Sequence, residues 1–252
     1  MVLSDMTALV TGASRGLGRA IAYRLSQDGA SVAINYAQRR DEAESLASEI
    51  RNSGGRAITC QCDVSNVHEV RGMVASISAE LGPIDILVNN AAILHRGDLD
   101  EYDQAKFEEM RRINVGGIIN TTLMVAESMK QRRFGRIVNL TSIAAHGTSL
   151  PGTTFYAATK SAVILLTRRF AMDLGPFAIT VNAVAPGFIL TDMAAGLEDL
   201  IEKIIGVTMV SRIGSPDDIA QAVAFLASPH SSFITAQTLT VDGGRMDYIA
   251  HP

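Results

Sequence analysis

Tryptophan is absent from the 252 residues, aromatic side chains make up 5%, and only two cysteines occur. A disulfide framework therefore cannot carry this fold. Cys60 and Cys62 stand two apart in a strand-like run, so they point the same way and cannot easily bridge each other. With no histidine or further cysteine beside them they read as small core residues, and no metal is expected. Charge of one sign is also scarce. A formal net charge of -4 gives no electrostatic reason to expect nucleic acid or an anionic membrane as partner. No apolar run approaches the length of a membrane span, and Met1 to Thr11 lacks a charged region followed by a long apolar stretch. These absences predict a cytoplasmic protein in a reducing compartment. His95, His146 and His230 show no zinc-hydrolase spacing and read as loop or surface residues.

What the chain does have is apolar material, 47% of it, enough for one large core. Short runs rich in Val and Ile alternate with longer stretches of helical period, the pattern of βαβ units. Strands are predicted at Thr7 to Val10, Ser31 to Tyr36, Ala57 to Gln61, Ile84 to Val88, Arg136 to Leu140, Thr180 to Ala185 and Thr238 to Val241. Helices are predicted to begin near Gly16, Arg40, Val67, Asp103, Thr154, Leu197 and Ser215, the last from a capping Ser followed by Pro and two acids. The expected fold is α/β: a single domain over residues 1–252, built on a doubly wound parallel sheet with helices on both faces. The stretch from Gly187 to Gly214 departs most from the alternation and reads as a substrate lid or a pair of surface helices.

The first strand runs into Thr11-Gly12-Ala13-Ser14-Arg15-Gly16-Leu17-Gly18. Glycines there permit a tight turn and let backbone N–H groups at a helix start approach a pyrophosphate. Asp63 ends strand three, where a carboxylate could accept from an adenine amine, and Asn89-Asn90-Ala91-Ala92 ends strand four. Both lie at carboxyl ends of strands, where open α/β sheets bind ligands. Further along, Tyr156 and Lys160 are four apart, so on a helix they share one face. A nearby ammonium favours phenolate, so Lys160 is expected to bring Tyr156 towards neutral pH as an acid or base. Ser142 ends strand five at the same carboxyl edge, and Asn114 interrupts a predicted helix where asparagine needs a local use. His146 and Leu150, between Ser142 and Tyr156, are candidates to line a pocket.

Together these motifs resemble the short-chain dehydrogenase/reductase family, from Thr11 to Gly244. The likeness rests on the glycine turn, Asn89 to Ala91, Asn114, the set Ser142, Tyr156 and Lys160, then Pro186-Gly187-Phe188-Ile189 with Thr191-Asp192-Met193, and Val241-Asp242-Gly243-Gly244. The resemblance implies a Rossmann-type sheet of about seven strands. It also implies hydride transfer between a nicotinamide and a carbonyl or secondary alcohol. In the implied relay Tyr156 protonates the oxygen, Ser142 positions it, Lys160 contacts the nicotinamide ribose and lowers the tyrosine pKa, and Asn114 holds a water linking Lys160 to solvent. The implied cofactor site comprises Gly12, Ser14, Arg15, Gly16, Leu17 and Gly18, with Asn35, Tyr36 and Arg39 after strand two. Asp63, Val64, Asn90, Ala91, Ala92, Tyr156, Lys160, Pro186, Gly187, Ile189 and Thr191 complete it.

NADP (NADPH) is the expected cofactor. NAD-selective members usually place an acid at the end of strand two, whereas Asn35-Tyr36-Ala37-Gln38-Arg39-Arg40 has none before Asp41. Arg15 with Arg39 or Arg40 could hold the 2′-phosphate. Within the family the likeness is greatest to 3-oxoacyl-[acyl-carrier-protein] reductases. Ile93-Leu94-His95-Arg96-Gly97-Asp98 departs from their Thr-Arg-Asp segment, which keeps a sugar, polyol or steroid-like alcohol dehydrogenase open. A non-catalytic cofactor-binding regulator on the same fold is the other class of function. Three further departures stand out: the Ser142 to Tyr156 interval is one residue longer than the commonest spacing, and Ala92 and Ala236 replace usual glycines. Both alanines read as small packing changes. A homotetramer is expected from the resemblance and from Val163 to Leu174, whose apolar residues cover more than one helix face.

Overall fold

A computed structural model describes residues 1–148, 150–190 and 201–247. Seven parallel strands form one sheet in the order β3-β2-β1-β4-β5-β6-β7. They are β1 (Thr7–Val10), β2 (Ser31–Tyr36), β3 (Ala57–Gln61), β4 (Ile84–Asn89), β5 (Gly135–Leu140), β6 (Ile179–Pro186) and β7 (Thr238–Val241). Each predicted strand is present, with β4, β5 and β6 longer by one or two residues. Helices α1 (Gly16–Gln27), α2 (Arg40–Asn52), α3 (Val67–Glu80), α4 (Gln104–Arg111), α5 (Gly117–Arg132), α6 (Thr154–Leu174), α7 (Ile201–Gly206) and α8 (Pro216–Ala227) connect them. The expected start near Leu197 and the cofactor candidate Thr191 lie outside the described residues, as does part of the 187–214 segment.

Helix α1 buries Gly18, Ile21, Ala22 and Leu25, and α2 buries Ala43, Leu46, Ala47 and Ile50, the i, i+3, i+4, i+7 stripe of a helix lying on a sheet. These stripes join α8 in one core on one face of the sheet. Residues of α3, α5 and α6 form a second core on the other face. The central strands between are buried on both faces, hence their mainly apolar composition. Helix α8 starts as its sequence predicts. Ser215 and Asp218 form a reciprocal capping box with Pro216 in the first turn.

The order reverses between β1 and β4, so the loops leaving those strands diverge and open a crevice at the carboxyl edge. Behind it, Asn89 and Asn139 face each other in register. Asn89 Nδ2 donates to Asn139 Oδ1 at 2.9 Å, and Asn139 Nδ2 donates to Thr167 Oγ1 at 2.9 Å. Thr121 Oγ1 donates to Asn89 Oδ1 at 2.6 Å. This buried chain ties α5 and α6 to the central strands, with donors and acceptors matched so that the amides do not carry a desolvation penalty.

Ala236 corrects the reading of its replacement as a packing change. Its φ is 61°, in the left-handed region that a Cβ disfavours, while its N–H is held by the Val181 carbonyl at 2.8 Å. Ala236→Gly is predicted to stabilise the protein by roughly 0.5–1 kcal/mol, relief of the left-handed strain outweighing the added entropy of the unfolded chain. A urea midpoint at or below that of the parent protein would contradict this.

Candidate active site

The turn after β1 is shaped from below by asparagines. Gly12 N–H donates to Asn35 Oδ1 at 3.1 Å, and Asn35 Nδ2 donates to the carbonyls of Cys60 and Cys62 at 3.2 and 3.0 Å. Asn90 Nδ2 donates to the carbonyls of Thr11 and Gly12 at 2.9 and 3.0 Å, while the N–H groups of Asn90 and Ala91 reach Thr11 Oγ1. Asn35 and Asn90 thus act on the turn's backbone. Gly12 and Gly16 have φ of 61° and 55°, and a Cβ on Gly18 would stand 2.4 Å from the Gly12 carbonyl oxygen. No side chain caps α1, since Arg15 at its N-cap makes no capping bond. The turn therefore fits a pyrophosphate: tight backbone, no Cβ in the way, and helix N–H groups left for an anion. Ser14 and Tyr36 are buried beside it, and Leu17 reaches the adjoining cavity.

At the far end, Asp63 accepts from Ser65 N–H at 2.9 Å and Ser65 Oγ at 2.7 Å. Burial raises its pKa, but the Ser65 bonds and the Arg112 guanidinium outweigh burial and hold it below the ordinary carboxylate value. Val64 is buried against Gly117. Arg39 donates to Glu42 Oε1 at 2.8 Å, and Arg39, with a smaller effect from Arg15, lowers the Glu42 pKa. Glu42 is a neighbour that strand-end reading did not anticipate, because it comes from the first turn of α2.

Lys160 is buried on α6, and its Nζ donates to the Leu140 carbonyl at 2.9 Å. Thr141 Oγ1 donates to the Lys160 carbonyl at 2.8 Å, fastening α6 to the end of β5. Tyr156, one turn earlier, lines the same cavity as Ser142, near enough for the serine hydroxyl to act on the phenol's pKa. The expected depression of the tyrosine is not found. Burial pushes the phenol up to about 12, against a smaller downward pull from Ser142. Burial also brings the Lys160 ammonium down to about 8. Lys160 Nζ lies 5.7 Å from the ring centroid and is turned to a carbonyl, so desolvation dominates the phenol's environment.

Asn114 is fully buried in a π-helical turn, Arg112–Gly116, that joins α4 to α5. Its Oδ1 accepts from Ile93 N–H at 2.9 Å, and its Nδ2 donates to the Ile93 carbonyl at 2.9 Å and Thr159 Oγ1 at 3.1 Å. The distortion that the sequence called for is present, and it pins the strand-four loop. Ala92 lies partly buried in that loop, between Ala91 and Ile93.

Ser142 and Tyr156 open onto a cavity of about 150 Å³ whose walls include Leu17, Leu94, Ile143, Leu150, Pro186, Gly187, Phe188 and Ile189. Leu150 lines it, whereas His146 is exposed and does not. The longer Ser142 to Tyr156 interval is accommodated by a loop docked on Asp98, whose Oδ1 accepts from Gly152 N–H at 2.8 Å and Thr154 Oγ1 at 3.2 Å. Two lining cations, Arg96 and Arg245, were missed. Neither belongs to a motif, and only the fold brings them to the cavity. Among the described residues no His, Cys, Asp and Glu group could hold a metal ion, and no helix is long and apolar enough to cross a membrane.

Residues 12–245 match the family model described as enoyl-(acyl carrier protein) reductase. A solved short-chain dehydrogenase/reductase from Serratia marcescens superposes with a TM-score of 0.91 at 35% identity, over 97% of this chain and 99% of that one. The chain belongs to the short-chain dehydrogenase/reductase family. It is an oxidoreductase of that family. The 3-oxoacyl-[acyl-carrier-protein] reductase of Staphylococcus epidermidis is 41% identical over 241 residues, 95% of this chain and 98% of the relative. A gluconate 5-dehydrogenase from Burkholderia cenocepacia, solved with NADP and tartrate, has a TM-score of 0.91 at 35% identity, over 96% of this chain and 95% of that one. In this short-chain dehydrogenase/reductase the glycine turn, through Leu17, and the pair Ser142 and Tyr156 meet at the cavity.

Proposed function

We propose that the protein is an NADP(H)-dependent carbonyl reductase using Ser142, Tyr156 and Lys160, with 3-oxoacyl thioesters as the substrate class. The observation that carries this is that Ser142 and Tyr156 line one mainly apolar cavity, with Lys160 buried one turn beyond Tyr156 on α6. The nicotinamide, when bound, supplies the hydride. Ser142 orients the carbonyl oxygen, and Tyr156, which keeps its proton at neutral pH, donates it to that oxygen as the oxygen becomes alkoxide-like and more basic than the phenol. Lys160 holds positive charge behind the phenol and braces β5 against α6. Gly12 to Gly18 would take the pyrophosphate and Asp63 the adenine amine. Asn90 to Ala92 and Pro186 to Ile189 would wall the nicotinamide side, and Thr191 belongs to the same proposal. The segment 187–214 would serve as substrate lid.

The acyl reading is supported by the apolar lining and by the 41% identical relative. The gluconate 5-dehydrogenase likeness favours a second reading, a sugar or polyol dehydrogenase. Acetoacetyl thioester and 5-ketogluconate, each assayed with NADPH, separate the two: turnover of the sugar acid alone would overturn the acyl reading.

NADPH preference is read from Arg15 and Arg39. A 2′-phosphate would take the place of Glu42 at Arg39, exchanging a carboxylate for a more highly charged acceptor. Because Arg39 is half exposed and already paired, Arg39→Ala is expected to weaken NADPH binding by only about tenfold and to leave NADH nearly unaffected. A wild-type kcat/KM higher with NADH than with NADPH would reverse the assignment.

The same reading makes the protein a cytoplasmic homotetramer. Both thiols are free, with burial pushing Cys60 up to about 11 and Cys62 up to about 12, as suits a reducing compartment. Leu123 on α5 and Leu165 and Met172 on α6 are exposed on one side; Phe225, Phe233 and Leu239 are exposed near the β7 edge. Two separate apolar surfaces are what dihedral assembly requires. Light scattering should give four times the 26.9 kDa chain mass, and a stable monomer at micromolar concentration would reject the assembly.

A further inference from the structure

The loop from Ile93 to Asp98 carries three charged or titratable side chains, His95, Arg96 and Asp98, and their partners differ in a telling way. Ile93 is clamped on both backbone groups by Asn114. His95 turns outward, with Nε2 2.7 Å from Glu109 Oε2 and its N–H on Met110 Sδ. Gly97 N–H donates to the Gly152 carbonyl at 3.1 Å, and Asp98 accepts from Gly152 and Thr154. Leu94 and Arg96, alternating with these, face the cavity. Among the described residues, the Arg96 guanidinium makes no hydrogen bond or ion pair.

The other cation at the cavity, Arg245, is already satisfied, since Asp247 accepts from its Nε at 2.7 Å and also from its terminal nitrogen. Among the described residues, no aspartate or glutamate lines the cavity. An exposed cation on a loop whose backbone is anchored at both flanks, at the edge of an apolar cavity that Ser142 and Tyr156 also line, is placed to meet an oxyanion on the molecule whose carbonyl reaches Tyr156. Resting on the carbonyl-reductase reading above, we propose that Arg96 recognises an oxyanion on the substrate. The substrate is then an oxo or hydroxy compound with an apolar body and a carboxylate or phosphate.

The two sources of that anion are separated by two substrate arms. The first pairs 3-oxobutanoate, 4-oxopentanoate and 5-oxohexanoate with their methyl esters. The second pairs acetoacetyl-4′-phosphopantetheine with acetoacetyl-pantetheine. In at least one pair the anion should have the higher kcat/KM with NADPH. Arg96→Gln should then lower the anion-to-neutral ratio by about tenfold or more, and Arg96→Lys by less, because it keeps charge but loses the planar fork. The arm in which the ratio collapses names the anion. A ratio unchanged in Arg96→Gln, or a wild type indifferent to charge in both arms, overturns the proposal. Calorimetry with 3-hydroxybutyrate and its methyl ester gives a readout free of turnover. Carboxylate binding that depends on Arg96 in a protein that reduces no ketone would retain the anion site and sink the reductase reading. Ketone reduction without such charge preference would do the reverse.

Discussion

Tyr156→Phe is expected to lower kcat for ketone reduction by about 10²- to 10⁴-fold, the range over which a positioned proton donor contributes to a reaction. The phenol lines the cavity wall together with Ser142, and removing its hydroxyl leaves the ring packing in place. It does not touch the glycine turn, so NADPH affinity should stay within about twofold, a loss in turnover without a loss in cofactor binding. Because burial holds the phenol up to about 12, the residue is protonated throughout the neutral range, and reduction should not wait on its titration there. Stopped-flow or steady-state kinetics with fluorescence titration of NADPH decide the matter. A kcat near that of the parent protein would remove Tyr156 from the chemistry.

Lys160→Met should show the opposite balance between activity and stability. The ammonium is buried, and burial lowers its pKa from 10.5 to about 8. A folded value below the unfolded one means that charging Lys160 opposes folding. The cost is fully present below about 8, shrinks as pH rises, and vanishes above about 10.5. At about 1.36 kcal/mol per pH unit this amounts to about 3 kcal/mol. Methionine has similar length and no charge, but it also gives up the bond to the Leu140 carbonyl, worth about 1 kcal/mol at any pH. The variant is therefore expected to be more stable than the parent protein by about 2 kcal/mol at pH 7 and less stable by about 1 kcal/mol near pH 10.5, while losing most activity. Urea unfolding of both proteins at several pH values tests the sign, since all other titrating groups cancel in the difference. A stability difference that stays flat with pH, or moves the other way, would show that Lys160 is not a charge held at cost for function.

The strands and most helix starts were legible because each signal is local. A strand buried on both faces must be mainly apolar along its length, and β1 and β2 begin and end where the apolar runs do. Ser215-Pro216-Asp217-Asp218 announces α8 because a cap needs only four neighbouring residues. Asn114 was legible as an anomaly, though its target was not: nothing in its neighbourhood of sequence points to Ile93, 21 residues away. The same holds for the Asn89–Asn139–Thr167 chain, whose polar residues sit within otherwise apolar strands and find one another only across the sheet.

By itself the sequence determined the parallel α/β order, the glycine turn and the pairing of Tyr156 with Lys160 on one helix face, because these depend on backbone sterics and on spacings of a few residues. Only the tertiary structure decided the tyrosine's electrostatic setting and the identity of the cavity's cations. Desolvation depends on everything packed around a group, and burial moved Tyr156 up rather than down despite a lysine four residues away. Arg96 and Arg245 are 149 positions apart in the chain and lie on the same cavity. Each has an aspartate two positions on, and the fold decides between them: Asp247 turns back to Arg245, whereas Asp98 is taken up by Gly152 and Thr154.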